Sequence, residues 1–402
     1  MNRFLQVVDV SDAVGTAIRI APGPVPEEIP ADQAPGRVLC ADVIAGEDIP
    51  GFDRSIVDGF AVRANDTAGA GDAAPALLRN TGRVSMGDPE SPLSVTNGTC
   101  VYVPTGGVLP AGADAVVMTE QTDTAGDMVL VKRPVAHGEN VLMHDEDYRR
   151  GAVILPAGRR ISPQDAGVLA ASGRTMVTVA KKPVIGIIST GNELVPVSAT
   201  PGPGQVRDAN APMIAAWLQE FGCIPRLYGI VRDERSSFEQ ALAKALPECD
   251  AILLSGGSSK DDRDMTAGII AGSGEVLVHG ITIAPGKPTI IGRIKNIPVF
   301  GLPGHPASAY VVLLVVVRPL VARMLGKTET PLVTTRATLG TNIPSQKGRE
   351  EYVRVRLENG IAHPVFGKSG LLNTLVLSNG LIRIPAGCEG LEQGSTVDVI
   401  LW

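Results

Sequence analysis

The apolar stretch Ala251 to Leu254 runs directly into Ser255-Gly256-Gly257-Ser258-Ser259 and then into a charged run from Lys260 to Asp264. A short hydrophobic strand ending in a glycine-rich turn and re-emerging as a polar helix start is the repeating unit of an open α/β sheet. Such a turn can also hold an anion. Glycines let successive backbone N–H groups converge on an oxygen, hydroxyls add donors, and the following helix start adds partial positive charge. Asp261, Asp262 and Asp264 would repel a phosphate unless a divalent cation lay between them, which points to Mg2+. The segment fits equally a plain strand-to-helix turn with a solvated acidic helix start.

Two more turns share this form. An apolar strand over 184–189 ends in Thr190-Gly191-Asn192-Glu193, and a strand near 298–300 ends in Gly301-Leu302-Pro303-Gly304-His305-Pro306. Between them the spacing predicts helices over 211–221, 236–246 (capped by Ser236 or Ser237) and 265–271. It also predicts strands over 226–231 and near 289–291, and a long helix after Pro306. Alternation of this kind predicts a parallel-type sheet covered on both faces, with ligands at the carboxyl ends of its strands. All three turns fall at that edge.

Around this centre the composition changes. Residues 1–50 begin with a short helix and become proline-rich, and 148–180 hold another small segment; together they are expected to form an N-terminal linker domain. Residues 51–147 alternate short β-branched runs with Gly, Asp, Asn and Pro, as in an inserted β domain. Residues 181–328 form the α/β domain, and 329–402 return to β-rich runs that suggest a small closed or folded-over β domain. The 402 residues are too many for one core. A net charge of −6, no basic block and only 3% aromatic residues argue against a nucleic-acid surface. Five scattered cysteines with no C-x-x-C pair fit reduced thiols in a cytoplasmic protein. No signal peptide is read at the N-terminus, and the apolar run 309–317, ended by Arg318-Pro319, is expected to be a buried helix too short to span a bilayer.

The acids Glu193, Asp233 and Asp264 each lie just past a strand end and would suit Mg2+, which takes oxygen ligands, water and substrate phosphate. Each alone also fits a helix cap or surface acid. Lys287, in Ala284-Pro285-Gly286-Lys287-Pro288, is a held point charge suited to an oxyanion, or a surface lysine in a turn. A second group in the β region holds Asp53, Asp58, Thr105-Gly106-Gly107, Glu146 and Asp147. No histidine pair has metal-ligand spacing, and only His305 is kept as a ligand contact. With no histidine near Ser255 or Cys249 in sequence, covalent catalysis is not expected.

Taken in order, Gly51 to Arg63, Thr105 to Val117, Gly138 to Asp147, Ser189 to Leu194, Ser255 to Asp264, Pro285 to Pro288 and Gly301 to Gly304 resemble the molybdopterin molybdenumtransferase family (MoeA and the gephyrin E domain). The resemblance spans nearly the whole chain. It implies a homodimer with a small N-terminal domain carrying a β insertion, a molybdopterin-binding α/β domain and a C-terminal β barrel. It implies that molybdate, or tungstate, is inserted into adenylylated molybdopterin with Mg2+ and release of AMP. Positions matching the family's functional residues are Asp58, Thr105, Asp147, Glu193, Asp233, Asp264, Pro303 and Pro306. Thr190, Gly191, Ser255, Gly256, Gly257, Ser258, Lys260, Lys287, His305 and Ser369 are expected to bind the ligands, with Arg349 or Arg354 nearby. The cleft would form between the α/β domain of one subunit and the small domains of the other. Molybdopterin adenylyltransferase and apo-molybdoenzymes are the implied partners. The chain departs from the family at Lys260-Asp261, at His305 in place of Asn, and at Ala284 and Gly280 in place of lysines. Lys260 is expected to supply the missing charge. A non-catalytic molybdopterin-binding scaffold and an unrelated Mg2+-dependent phosphate hydrolase are the competing functions.

Overall fold

The structure, a computed structural model, describes residues 7–87, 92–256, 260–327 and 332–402, without the side chains of 260–264. Gly257 and Ser258, and the side chains of Lys260 and Asp264, therefore lie outside the described residues.

The strands that flank the β insertion pair with one another. Pro26–Pro30 runs antiparallel to Met176–Ala180, Val43–Ile44 pairs with Val153–Leu155, and Ile49 bridges Tyr148. The chain thus leaves and returns at one place. Leu39, Ile154, Leu155, Ile161, Leu169 and Val179 fill the small core there. Its helix, Pro163–Ala171, starts at Ser162, which forms a capping box with Asp165.

The insertion is a six-stranded sheet built around Gly59–Val62 and Thr99–Val103. Alternation sends Phe60 and Val62 into one core and Ala61 into another, so both faces are covered.

Residues 10–20, expected within the N-terminal linker domain, pack against the core of the α/β domain. The helix Val10–Ile20 buries Val10, Ala13 and Ala17, with Val14 packed beside them, against the core that includes Leu313 to Val317. Spacing of three and four residues puts these small apolar groups on one stripe, which lets the two helices approach closely.

The α/β sheet has six strands in the order Ile224–Val231, Val184–Thr190, Ala251–Ser255, Ile297–Leu302, Ile290–Ile294, Glu275–His279. The first four are parallel; the last two are antiparallel. The sheet is therefore mixed at that end. Ile294 pairs with Ile297 across a two-residue loop whose Lys295 has φ 56°, a hairpin turn far too short for a parallel crossover. The helices are Asn210–Glu220, Arg235–Ala245 and Lys260–Ser273. The second is preceded by Glu234 and has no side-chain cap, in place of the expected serine cap.

Arg318-Pro319 does not end the helix after Pro306. The helix runs from Pro306 to Met324, 19 residues, long and apolar enough to cross a bilayer by length and composition, yet packed in the core. Leu313–Val317 widens to a π turn, with the Arg318 N–H bonding the Leu313 carbonyl. Proline has no N–H to give the ordinary ladder, and a widened turn is the local adjustment that lets the helix continue.

At the C-terminus, Glu350–Glu358, Ile361–Pro364, Thr334–Leu339, Thr396–Leu401 and Gly380–Ile384 close into a barrel, the last pairing back to the first. One strand of the α/β domain, Ile283–Ala284, runs parallel to Glu350 and Glu351 and joins the barrel to the turn that holds Lys287.

Candidate functional site

The four parallel strands end in register. Thr190 is level with Val231, Ser189 with Ser255, and Ser255 with Leu302. The turns that follow leave from one edge, and three contacts lock them together.

In the first contact, the Asn192 N–H donates to Asp233 Oδ2 at 2.9 Å and the Asp233 N–H donates to Asn192 Oδ1 at 3.3 Å. This exchange places Glu193 and Asp233 on adjoining turns. The Glu193 carboxylate folds back over Gly191, where a β-carbon would lie 2.7 Å from Oε2. In the second, Gly256, at φ +133°, lets its turn press against the backbone of Thr190. In the third, the buried Asn210 donates from Nδ2 to Ser255 Oγ at 2.9 Å and to the Gly304 carbonyl at 2.9 Å. The Gly304 carbonyl fixes the amide orientation, because the flipped amide would set two oxygens against each other. Asn210 was missed by sequence reasoning. Asp208, just before that helix, accepts the Ala211 N–H at 3.1 Å.

Pro303 is buried behind this edge, Pro306 starts the long helix, and His305 is exposed between them. Beside them lies a pocket of about 320 Å³ lined by the Ile283–Pro288 turn, Pro303 to His305, Ser308, Arg349 and Ser369. Lys287, Arg349 and His305 are its basic groups, Ser308 and Ser369 its hydroxyls, and among the described residues its lining holds no carboxylate. Arg349 Nε is buried without a hydrogen-bond partner. Of the two arginines, Arg349 lines this pocket and Arg354 does not. Arg354 is buried in the barrel and donates to the Gly367 carbonyl at 2.9 Å, and burial holds its guanidinium below its usual pKa range.

In the insertion, Asp58 Oδ1 accepts the Thr105 N–H at 2.8 Å and the Thr105 hydroxyl at 3.2 Å. The Thr119 N–H and hydroxyl donate to the Asp58 carbonyl. A β-carbon at Gly59 would meet the Val117 carbonyl at 2.1 Å, so glycine is required where the strand begins. The carboxylate is exposed and held in one orientation. Asp53, by contrast, accepts the His144 N–H at 2.6 Å and is part of the scaffold. Asp147 is exposed on the return stem, its N–H bonded to the Ile49 carbonyl, and among the described residues no hydrogen bond joins its side chain to Asp58 or Thr105. Asp58 and Thr105 therefore stand on one sheet, and Glu193 and Asp233 on another.

Among the described residues no three metal-ligating side chains gather. Glu193 and Asp233 nevertheless give an oxygen-only pair on linked turns. That fits Mg2+, which is held by one or two carboxylates together with water and substrate phosphate.

Comparison with known proteins agrees with this architecture. Residues 8–173 match the profile of the MoeA N-terminal region (domains I and II), 186–323 that of a probable molybdopterin binding domain, and 336–402 that of the MoeA C-terminal region (domain IV). The chain is 35% identical to the molybdopterin molybdenumtransferase of Bacillus subtilis, over 91% of this chain and 87% of that protein. It is 34% identical to a putative molybdopterin biosynthesis protein of Methanocaldococcus jannaschii, over 93% and 92%. The crystal structure of a molybdopterin biosynthesis MoeA protein from Pyrococcus horikoshii OT3 superposes with a TM-score of 0.87 at 34% identity, covering 99% of this chain and 100% of that one. With its three regions matched in order and its relatives aligned over nearly their full length, the chain belongs to the MoeA family of molybdopterin molybdenumtransferases.

Proposed function

We propose that the protein completes molybdenum cofactor synthesis by inserting molybdate, or tungstate, into adenylylated molybdopterin and releasing AMP, with Mg2+. The observation that carries this reading is the locked sheet edge. Ser255, Gly256, Thr190, Asn210 and Gly304 form one rigid rim, beside the carboxylates of Glu193 and Asp233 and next to a cationic pocket.

The backbone of the Gly191 and Gly256 turns would bind the phosphate of the ligand. Glu193 and Asp233 would hold Mg2+, with Asp264 as the third acid; bound Mg2+ offsets charge on the departing phosphate. Lys287, Arg349, Ser308 and Ser369 would receive the tetrahedral oxyanion through charge and hydroxyl donors. Asp58, buttressed by Thr105, is oriented to act on a ligand brought to it from outside its own sheet. We propose that a second subunit supplies that ligand, so that the site is completed in a homodimer. A cytoplasmic location, with molybdopterin adenylyltransferase before it and apo-molybdoenzymes after it, goes with this reading. The location is supported by the five cysteines, all free thiols.

The test is AMP release from adenylylated molybdopterin by the purified protein with Mg2+ and either oxyanion. Release that depends on the oxyanion and yields metal-containing cofactor is expected. Tight ligand binding with no release would replace the enzyme with a scaffold of the same fold.

A further inference from the structure

The cationic pocket is closed on one side by contacts between two domains. His305 Nδ1 lies 2.8 Å from Ser369 Oγ, and the Ala307 N–H donates to the Ser369 carbonyl at 3.1 Å. The His305 ring lies along the next residue of the loop, where a β-carbon on Gly370 would be 3.6 Å from Cδ2. The other end of the loop is fixed to the barrel. Arg354 bonds the Gly367 carbonyl, and the Val365 N–H bonds the Arg354 carbonyl at 2.8 Å. The loop from 365 to 370 therefore spans from a buried arginine on the barrel to the first turn of the Pro306–Met324 helix, and His305 is its side-chain fastening there.

We propose that His305 is a positioning residue for the oxyanion: by holding Ser369 it closes the barrel loop over the Lys287–Arg349 pocket and sets how tightly a tetrahedral oxyanion is held. The proposal rests on the reading of this pocket as the oxyanion end of the site. The fixed geometry of the hydroxyls and of Arg349 would carry part of the binding beside the charge of Lys287. The ring Nδ1 is the atom that makes the contact, and an asparagine side chain places an amide atom in nearly the same position. The fastening is thus a property that His and Asn at this position share, and alanine lacks.

The test is calorimetric titration of molybdate, and separately tungstate, into the full-length protein without pterin. His305→Ala and Ser369→Ala should each weaken binding about tenfold, the cost of one hydrogen bond to a polar partner. The double variant should be no weaker than the worse single one, since the two side chains act as a unit. His305→Asn should stay within about threefold of wild type, as expected when the bond is kept. Wild-type affinity in His305→Ala, or equal loss in His305→Asn and His305→Ala, would overturn the fastening while leaving the pocket assignment intact. If the wild-type protein takes up neither oxyanion, the pocket assignment fails and the proposal falls with it. His305 is exposed, so these substitutions leave the core untouched, and thermal melting checks that they do.

Discussion

The carbonyl oxygen of Thr190 occupies the space where a side chain on residue 256 would begin: a β-carbon on Gly256 would lie 1.9 Å from it. Two strands that are neighbours in the sheet thus continue into turns that touch backbone to backbone. Gly256→Ala must push these turns apart and also place alanine at φ +133°. A loss of about 3 kcal/mol or more is expected, with ligand affinity falling in parallel. Urea denaturation with unchanged midpoint would show that the contact does not constrain the edge.

Asn210 ties the second and third turns together. Asn210→Ala leaves Ser255 Oγ and the Gly304 carbonyl without their donor, at a cost of about 1–3 kcal/mol. Because both acceptors belong to the sheet edge proposed to bind the ligand, AMP release should fall by more than the loss of folded protein explains. Turnover per folded molecule, compared with wild type, is the measurement. Equal values would make Asn210 a packing residue only.

Asp58 and Thr105 separate charge from hydrogen bonding. Asp58→Asn can still accept from Thr105, so its melting temperature should match wild type, yet turnover should fall at least about a hundredfold if a developing positive charge or proton meets this carboxylate. Thr105→Val keeps the backbone donor and removes the weaker one, and should cost about tenfold or less. An active Asp58→Asn enzyme would take the charge out of the mechanism.

Asp165 predicts where acid weakens the small domain. Two hydrogen bonds from Arg159, at 2.9 and 2.8 Å, lead the causes that hold its pKa below the ordinary value of 3.8, against the opposing effect of burial. A depressed folded-state pKa contributes stability that is present above the unfolded value and lost as pH falls through the folded one. Hydrogen exchange in the Pro163–Ala171 helix should therefore accelerate below about pH 4. Asp165→Asn should cost about 2 kcal/mol at pH 7 and flatten that dependence. Unchanged exchange between pH 5 and pH 3 would contradict the linkage.

Much of the ligand edge was legible because its signals are local. An apolar run followed by a glycine-rich turn places Ser255, Thr190 and Gly304 without knowledge of any neighbour, and the strand Thr396–Leu401 shows in the same way. What the sequence did not show depends on partners far along the chain. Nothing within Val10–Ile20 says that its stripe of small residues meets Leu313–Val317 and not the segment that follows it. Pro319 reads as a helix end because a π turn upstream leaves no mark in the sequence. The Lys295 turn lacks the glycine or asparagine at its first position that would have announced a hairpin. Asn210 sits in a helix that shows in the sequence, but its two acceptors lie 45 and 94 residues away.

The parallel pairing of Ile283–Ala284 with Glu350 and Glu351, reinforced by the Glu350 N–H on the Thr282 carbonyl at 2.9 Å, reaches beyond architecture. The turn that presents Lys287 is stitched along its edge to the C-terminal module. The barrel is therefore not a detachable cassette. Exchanging it with that of a relative would rewrite the wall of the Lys287–Arg349 pocket, and inheritance must keep the two sides of this seam in step.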